Sequence, residues 1–222
     1  MDENETLVDE LFEPVEGQMT LRVGVLISGS GTNLQALIDG CADGLVNAEV
    51  VVVVSNKKDA FGLERARRAG VDDVYIDRTA YTTFSAYNQA IADTMKEHRV
   101  DLVVMAGYMR LLGKEVLEAY PDRVMNLHPA LLPAFVGASA IHDAFDHGVK
   151  VTGVTVHFAN EKFDEGPIIA QEAVPVAEND TVETLEAKIH EAEHRLLPMA
   201  VQLFAQGRLL VEGRKVRILS EA

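Results

Sequence analysis

The run EVVVVVS at residues 49–55 sets five valines in a row. A strand with one face in water alternates apolar and polar residues, so an unbroken β-branched run needs cover on both faces, as in a doubly wound α/β sandwich. Similar runs recur on either side of it, at residues 22–28 (RVGVLIS), 74–76, 101–105 (DLVVM) and 123–127 (RVMNL). Between them, residues 33–41, 60–69, 82–98 and 114–120 space their apolar side chains at helical intervals. Strand and helix in regular alternation predict a mostly parallel, Rossmann-like sheet with helices on both faces.

Beyond residue 127 the pattern changes. A Pro- and Gly-containing loop leads to a helical stretch around 138–147, then to the runs KVTGVTVHF (150–158) and 167–176, separated by residues 160–166. This spacing predicts an antiparallel excursion at the sheet edge. A helix over 181–204 and short runs at 208–212 and 216–219 close the chain. No repeat or low-complexity linker interrupts the pattern, so residues 21–222 are expected to form one domain behind an acidic extension at residues 1–20.

Composition narrows the function. Apolar residues make up 48% and charged residues 25%, the balance of a folded globular domain and not of a disordered chain. The net charge of −15 repels phosphate backbones and anionic lipid, which argues against nucleic-acid or membrane partners. About half of that charge comes from Asp2, Glu3, Glu5, Asp9, Glu10, Glu13 and Glu16 of the extension. The single cysteine, Cys41, can form neither an internal disulfide nor a multi-cysteine zinc site, which fits a reducing cytoplasm. The acidic N-terminus does not resemble a secretory signal, and no apolar run approaches the roughly 18 residues of a membrane span.

Loops at the carboxyl ends of parallel strands gather along one edge, where ligands bind. After the first strand comes Ser28-Gly29-Ser30-Gly31-Thr32-Asn33, leading into a helix whose exposed amides can hold an anion. Leu34 replaces the third glycine of a dinucleotide fingerprint, and no Gly-Lys-Ser/Thr follows, so the loop is neither that motif nor a Walker A loop. Taken alone, a turn capped by Thr32 or Ser30 explains it equally well. Ser55-Asn56-Lys57 ends the second strand without the acidic residue that would hold a dinucleotide ribose. Met109-Arg110-Leu111-Leu112 follows the fourth strand, an apolar loop with one cation that suits a flat organic ring. The fifth strand ends in Asn126-Leu127-His128, where alternation puts the amide and the imidazole on one side. An amide holds an oxyanion and an imidazolium protonates or stabilises it, although a turn-capping Asn beside a structural His is equally open. A loop carboxylate, Asp164, precedes Gly166-Pro167.

These segments, SGSGTNLQALID, SNK followed by AFGLERARRAG, AGYMRLL, NLHPALLP, VTGVTVHF and DEGPIIAQ, occur in an order and at spacings that resemble the glycinamide ribonucleotide formyltransferases. The resemblance covers residues 21–210. It implies a Rossmann-like formyltransferase fold and transfer of a formyl group from the cosubstrate 10-formyltetrahydrofolate to the amine of 5'-phosphoribosylglycinamide, in purine synthesis and without a metal. It further implies Asn126, His128 and Asp164 as the catalytic set, Gly31, Thr32, Asn33 and Glu193 as contacts of the glycinamide ribonucleotide, and Met109, Arg110, Leu111, Leu112 and Asn126 as folate contacts. The implied protein is cytoplasmic, works on small molecules, and is a monomer or homodimer. Where the family continues LLP with Pro-Gly and histidines, this chain reads PAFVGASAIH, so Val136, Ser139 and Ile141 depart from the pattern. Phe84 stands where some members carry a folate-binding arginine.

Three rivals accompany this expectation. His190-Glu191-Ala192-Glu193-His194 spells the H-E-x-x-H signature of zinc hydrolases, but no histidine follows as a third ligand, and Glu212 sits in a strand-like run. A 10-formyltetrahydrofolate deformylase shares the Asn, His and Asp set but normally carries a regulatory domain longer than the 20-residue extension. A methionyl-tRNA formyltransferase requires a further, basic domain. His142, Asp143, Asp146 and His147 are expected to form a solvated helix face, and His157 and His98 to be structural.

Overall fold

A computed structural model describes residues 19–220, so most of the predicted acidic extension lies outside the described residues. In chain order the elements are β1 (Leu21–Ile27), α1 (Thr32–Ala42), β2 (Ala48–Ser55), α2 (Phe61–Arg68), β3 (Asp72–Tyr75) and a 3₁₀ turn (Arg78–Ala80). There follow α3 (Phe84–Glu97), β4 (Leu102–Met105), α4 (Lys114–Ala119), β5 (Val124–His128) and α5 (Ala140–Asp146). β6 (Val151–Phe158), β7 (Ile168–Pro175), α6 (Val182–Ala205), β8 (Leu209–Glu212) and β9 (Lys215–Ile218) complete the chain.

The valine run forms β2 and is covered on both faces, as its pattern requires. Val50 and Val53 join one hydrophobic core, with Leu34 and Leu37 of α1, Leu63 and Ala66 of α2, and Leu185, Ile189 and Leu196 of α6. Val52 and Val54 join the other, with Tyr87, Ile91 and Met95 of α3 and Val116 of α4. Val52, Val53 and Val54 are at most 1% exposed, and each such side chain contributes about 1.5–3 kcal/mol by leaving water. The alternation slips once. β1 pairs Val23 with Val50 but Gly24 with Val52, so Val51 is the extra residue of a bulge.

The sheet has the order β3-β2-β1-β4-β5-β6-β7-β9-β8. β3, β2, β1, β4 and β5 are parallel to one another, β6 runs antiparallel to β5, and β7 antiparallel to β6. The excursion expected at the edge is therefore continued by β9, which meets β7 in parallel at Ile168 and Lys215, and by its hairpin partner β8. The third strand lies at Asp72–Tyr75 and not at residues 74–76. Its pairing to β2 runs from Val52–Asp72 to Ser55–Tyr75, and an edge strand tolerates the two aspartates that masked it in sequence. α6 starts in a capping box, Thr181 accepting from Thr184 N and Thr184 Oγ1 accepting from Thr181 N. Its apolar positions at Leu185, Ile189, Ala192 and Leu196 fall on one helical face.

Candidate active site

Strand order reverses between β1 and β4, and in an open α/β sheet a crevice forms outside the carboxyl ends at such a point. Here the crevice is a cleft of about 780 Å³, lined by the ends of β1, β4, β5 and β6 and by one face of α6. The residues implied as catalytic or ligand contacts all line it: Gly31, Thr32, Asn33, Met109, Arg110, Leu111, Leu112, Asn126, His128, Asp164 and Glu193.

One end is built on the glycine loop. Gly31, at φ +71°, is the residue that caps α1, and no side chain bonds the first turn. Thr32 and Ser30 therefore do not act as caps, and the helix start keeps its donors and its positive dipole end for a ligand. A Cβ on Gly31 would lie 2.7 Å from Gly62 Cα, and one on Gly62 would lie 2.3 Å from Ile27 Cδ1. The loop and α2 thus meet backbone to backbone, joined by Gly62 N–H donating to Gly29 O (3.1 Å). Arg65 Nε donates to Ser30 O from behind (2.9 Å). Asn33 Nδ2 donates to Glu193 Oε2 of α6 at 2.9 Å, while Asn33 Oδ1 is buried without a partner among the described residues. Burial pushes the Glu193 carboxyl up, against the pull of the Asn33 bond and of His190.

The centre carries the amide, the imidazole and the carboxylate. Met125 and Leu127 point into the first core, so strand alternation turns Asn126 and His128 together into the cleft. His128 Nε2 donates to Phe135 O (2.8 Å), and its Nδ1 faces Asp164 Oδ2 at 3.5 Å. Both ring nitrogens thus face oxygen atoms, one a carbonyl and one a carboxylate. Asn126 Nδ2 donates to His157 Nε2 (3.0 Å) and to Asp164 Oδ1 (3.3 Å). Asp164 Oδ2 also accepts from Gly137 N–H (3.0 Å). Burial pushes the Asp164 carboxyl up, but the nearby His157 ring, the Gly137 N–H and the His128 ring hold it below the usual range. The longest contacts of the set are those to Asp164 from the His128 and His157 rings, and such contacts commonly tighten only around a bound ligand.

His157 was expected to be structural, and instead it stands within the set. It pairs across β5–β6 with Asn126, its Nδ1 donates to Phe158 O (2.9 Å), and its Nε2 lies 3.8 Å from Asp164 Oδ1. Only the antiparallel register reveals this, and sequence does not supply register. Ser28 was also missed. Its hydroxyl donates to Asn56 Oδ1 (2.6 Å) and accepts from Met109 N–H (3.0 Å), tying three strand ends together.

The other end is apolar, with Leu112 buried, Met109 66% exposed and Arg110 at the rim. Val136 and Phe163, both more than half exposed, form its lips. His142 lines the cleft too, so the polar face of α5 is not wholly turned to solvent.

The H-E-x-x-H run lies along α6 with the rings of His190 and His194 stacked, 6.3 Å between centroids. His190 Nε2 stands 3.9 Å from Glu186 and from Glu193. Among the described residues no three His, Cys, Asp or Glu side chains are grouped to hold a metal ion. Cys41 is part-buried near the end of α1, its thiol pushed up to about 11 by burial and by Glu49.

An open α/β sheet with a cleft across its carboxyl edge, holding a buried carboxylate, an amide and an imidazole in mutual reach, defines an α/β enzyme. The chain belongs to the formyl transferase family, whose model matches residues 21–201. It is 54% identical to the solved glycinamide ribonucleotide transformylase 1 from Symbiobacterium toebii, with a TM-score of 0.90 over 94% of this chain and 99% of that one. Phosphoribosylglycinamide formyltransferase of Haemophilus influenzae is 38% identical over 85% of this chain and 89% of its own length. The trifunctional purine biosynthetic protein adenosine-3 of Gallus gallus is 46% identical over 86% of this chain, which spans 19% of that longer protein. No helix among the described residues is long and apolar enough to cross a membrane.

Proposed function

We propose that this chain is a phosphoribosylglycinamide formyltransferase, moving the formyl group of 10-formyltetrahydrofolate to the amine of 5'-phosphoribosylglycinamide, with residues 21–222 acting as one domain in the cytoplasm. The observation that carries the proposal is the joining, in one cleft, of an uncapped helix start to the Asn126, His128 and Asp164 set. The printed activities of the relatives point the same way.

The amides of Gly31, Thr32 and Asn33 hold the acceptor's phosphate, and Glu193, oriented by Asn33, takes its amino end. This fixes the amine in the cleft and turns a bimolecular encounter into an oriented one. Met109, Leu111 and Leu112 offer apolar walls to the donor's flat ring, with Arg110 as the nearby cation. The donor supplies an activated acyl carbon. Asn126 and protonated His128 hold the oxyanion as the amine adds, the amide releasing its long bond to Asp164 to do so. His128 then gives its proton to the departing nitrogen while the added amine loses one through water beside Asp164, whose charge favours the imidazolium up to that transfer.

Release of tetrahydrofolate is measured with 10-formyltetrahydrofolate, with and without the acceptor. Release that requires the acceptor and yields the formylated amide is expected. Asn126→Ala is expected to slow it by about 10²-fold or more, as loss of an oxyanion donor does. Acceptor-independent formate release at the same rate would make the chain a deformylase and refute the proposal.

A further inference from the structure

Asp164 meets His128 only because the chain between β6 and β7 passes through the left-handed region at that residue, with φ +53°. A residue with a Cβ keeps such a conformation only where its surroundings fix it. Upstream of the turn Lys162 and Phe163 are exposed, and Lys162 N–H donates to Asn160 Oδ1 at 2.9 Å. Downstream the chain closes tightly. A Cβ on Gly166 would lie 1.6 Å from Phe158 O, and Phe158 N–H donates to Pro167 O at 2.9 Å.

Between the carboxylate and that closure lies the Glu165–Gly166 peptide. A peptide preceding glycine turns over with little steric resistance, and its rotation would carry Asp164 with it. The carbonyl of this peptide accepts from Nη1 of Arg214 at 3.0 Å. Arg214 stands in the turn between β8 and β9, beside Lys215, which pairs with Ile168 where the loop enters β7. The hairpin lies beyond residue 201, where the family match ends.

We propose that Arg214 is a positioning residue for Asp164: the C-terminal hairpin locks the peptide that follows the carboxylate and so holds it against His128. The kinetic part of this inference rests on the formyl-transfer reading, and its structural part does not.

Arg214→Ala and Arg214→Lys in the full chain test it. Kinetically, the alanine variant is expected to lower acceptor-dependent kcat about three- to tenfold, the effect of one hydrogen bond, without changing the acceptor KM. Lysine, which can still donate, restores part of the loss. Structurally, the Gly137 amide, which donates to Asp164, is expected to exchange its hydrogen faster by a similar factor in Arg214→Ala, while the amides of β5 and β6 keep their rates. Unchanged Gly137 exchange overturns the proposal, and so does acceleration spread across β5 and β6, which would mark general loosening. If the unmodified chain shows no acceptor-dependent transfer, the formyl-transfer reading fails, and the exchange comparison still decides the role of Arg214.

Discussion

Replacing Asp164 by Asn removes a charge while keeping a shape. Asn enters the left-handed region readily, so the loop conformation at φ +53° is retained. Its side-chain oxygen can still accept from Gly137 N–H. What disappears is the negative charge 3.5 Å from His128 Nδ1. At that separation and an effective dielectric constant of about 20, Coulomb's law gives about 5 kcal/mol for a protonated ring. The amide dipole and water that enters beside it recover part of this, leaving about 3–4 kcal/mol, or 10²–10³ in rate. The assay is acceptor-dependent tetrahydrofolate release under saturating conditions, with thermal unfolding run in parallel. We expect kcat to fall by that factor, KM for both ligands to change little, and Tm to move by no more than about 3 °C. An Asp164→Asn protein that keeps more than about a tenth of the original kcat would refute the claim that this charge sustains the imidazolium.

Glu193→Gln tests the other end of the cleft. Because burial raises the folded-state value of Glu193, the unfolded chain gives up this proton first, and the native state loses stability as pH rises toward the folded value. The variant should therefore unfold at higher temperature than the parent at pH 8, with the gap closing below about pH 4.3, where both states hold the proton. Its acceptor KM should rise, and a lower Tm at pH 8 would contradict the sign. Gly31→Ala, at φ +71°, sets a methyl 2.7 Å from Gly62 Cα and displaces the glycine loop, so calorimetry should show a loss of about 1–3 kcal/mol. An unchanged acceptor KM in that variant would show that the loop does not hold the phosphate. Prolonged dialysis against a chelator should leave turnover intact, and activity lost with one zinc per chain and restored by zinc would revive the hydrolase signature on α6.

The sheet was legible because its strands are short and unbroken, and because helical spacing between them is regular. β2 could be read from five valines alone, but the bulge at Val51 could not, since it depends on where β1 sits. Asn126 and His128 were legible as a pair because strand periodicity is local. Asp164 was visible as a loop carboxylate but took its role from the family motif, and its geometry depends on a left-handed turn that nothing in Lys162–Gly166 dictates on its own. His157 and Ser28 escaped for the same reason. Each is an ordinary residue in a strand or at its end until a partner strand arrives opposite it. The H-E-x-x-H run was legible as a spacing that puts two imidazoles on one helix face, and its second glutamate, Glu193, turns to Asn33.

The bond between Asn33 and Glu193 joins residues 160 positions apart in the chain. During synthesis the glycine loop leaves the ribosome well before α6, with β1, α1 and β2 able to form a local parallel unit in the interval. Contacts of such long range carry the largest loop-closure cost and form late. The Asn33 and Glu193 end of the cleft is consequently unfinished until α6 has been made. On the proposed function, the nascent chain could cradle an anion on its first helix before it can recognise the amine beside it.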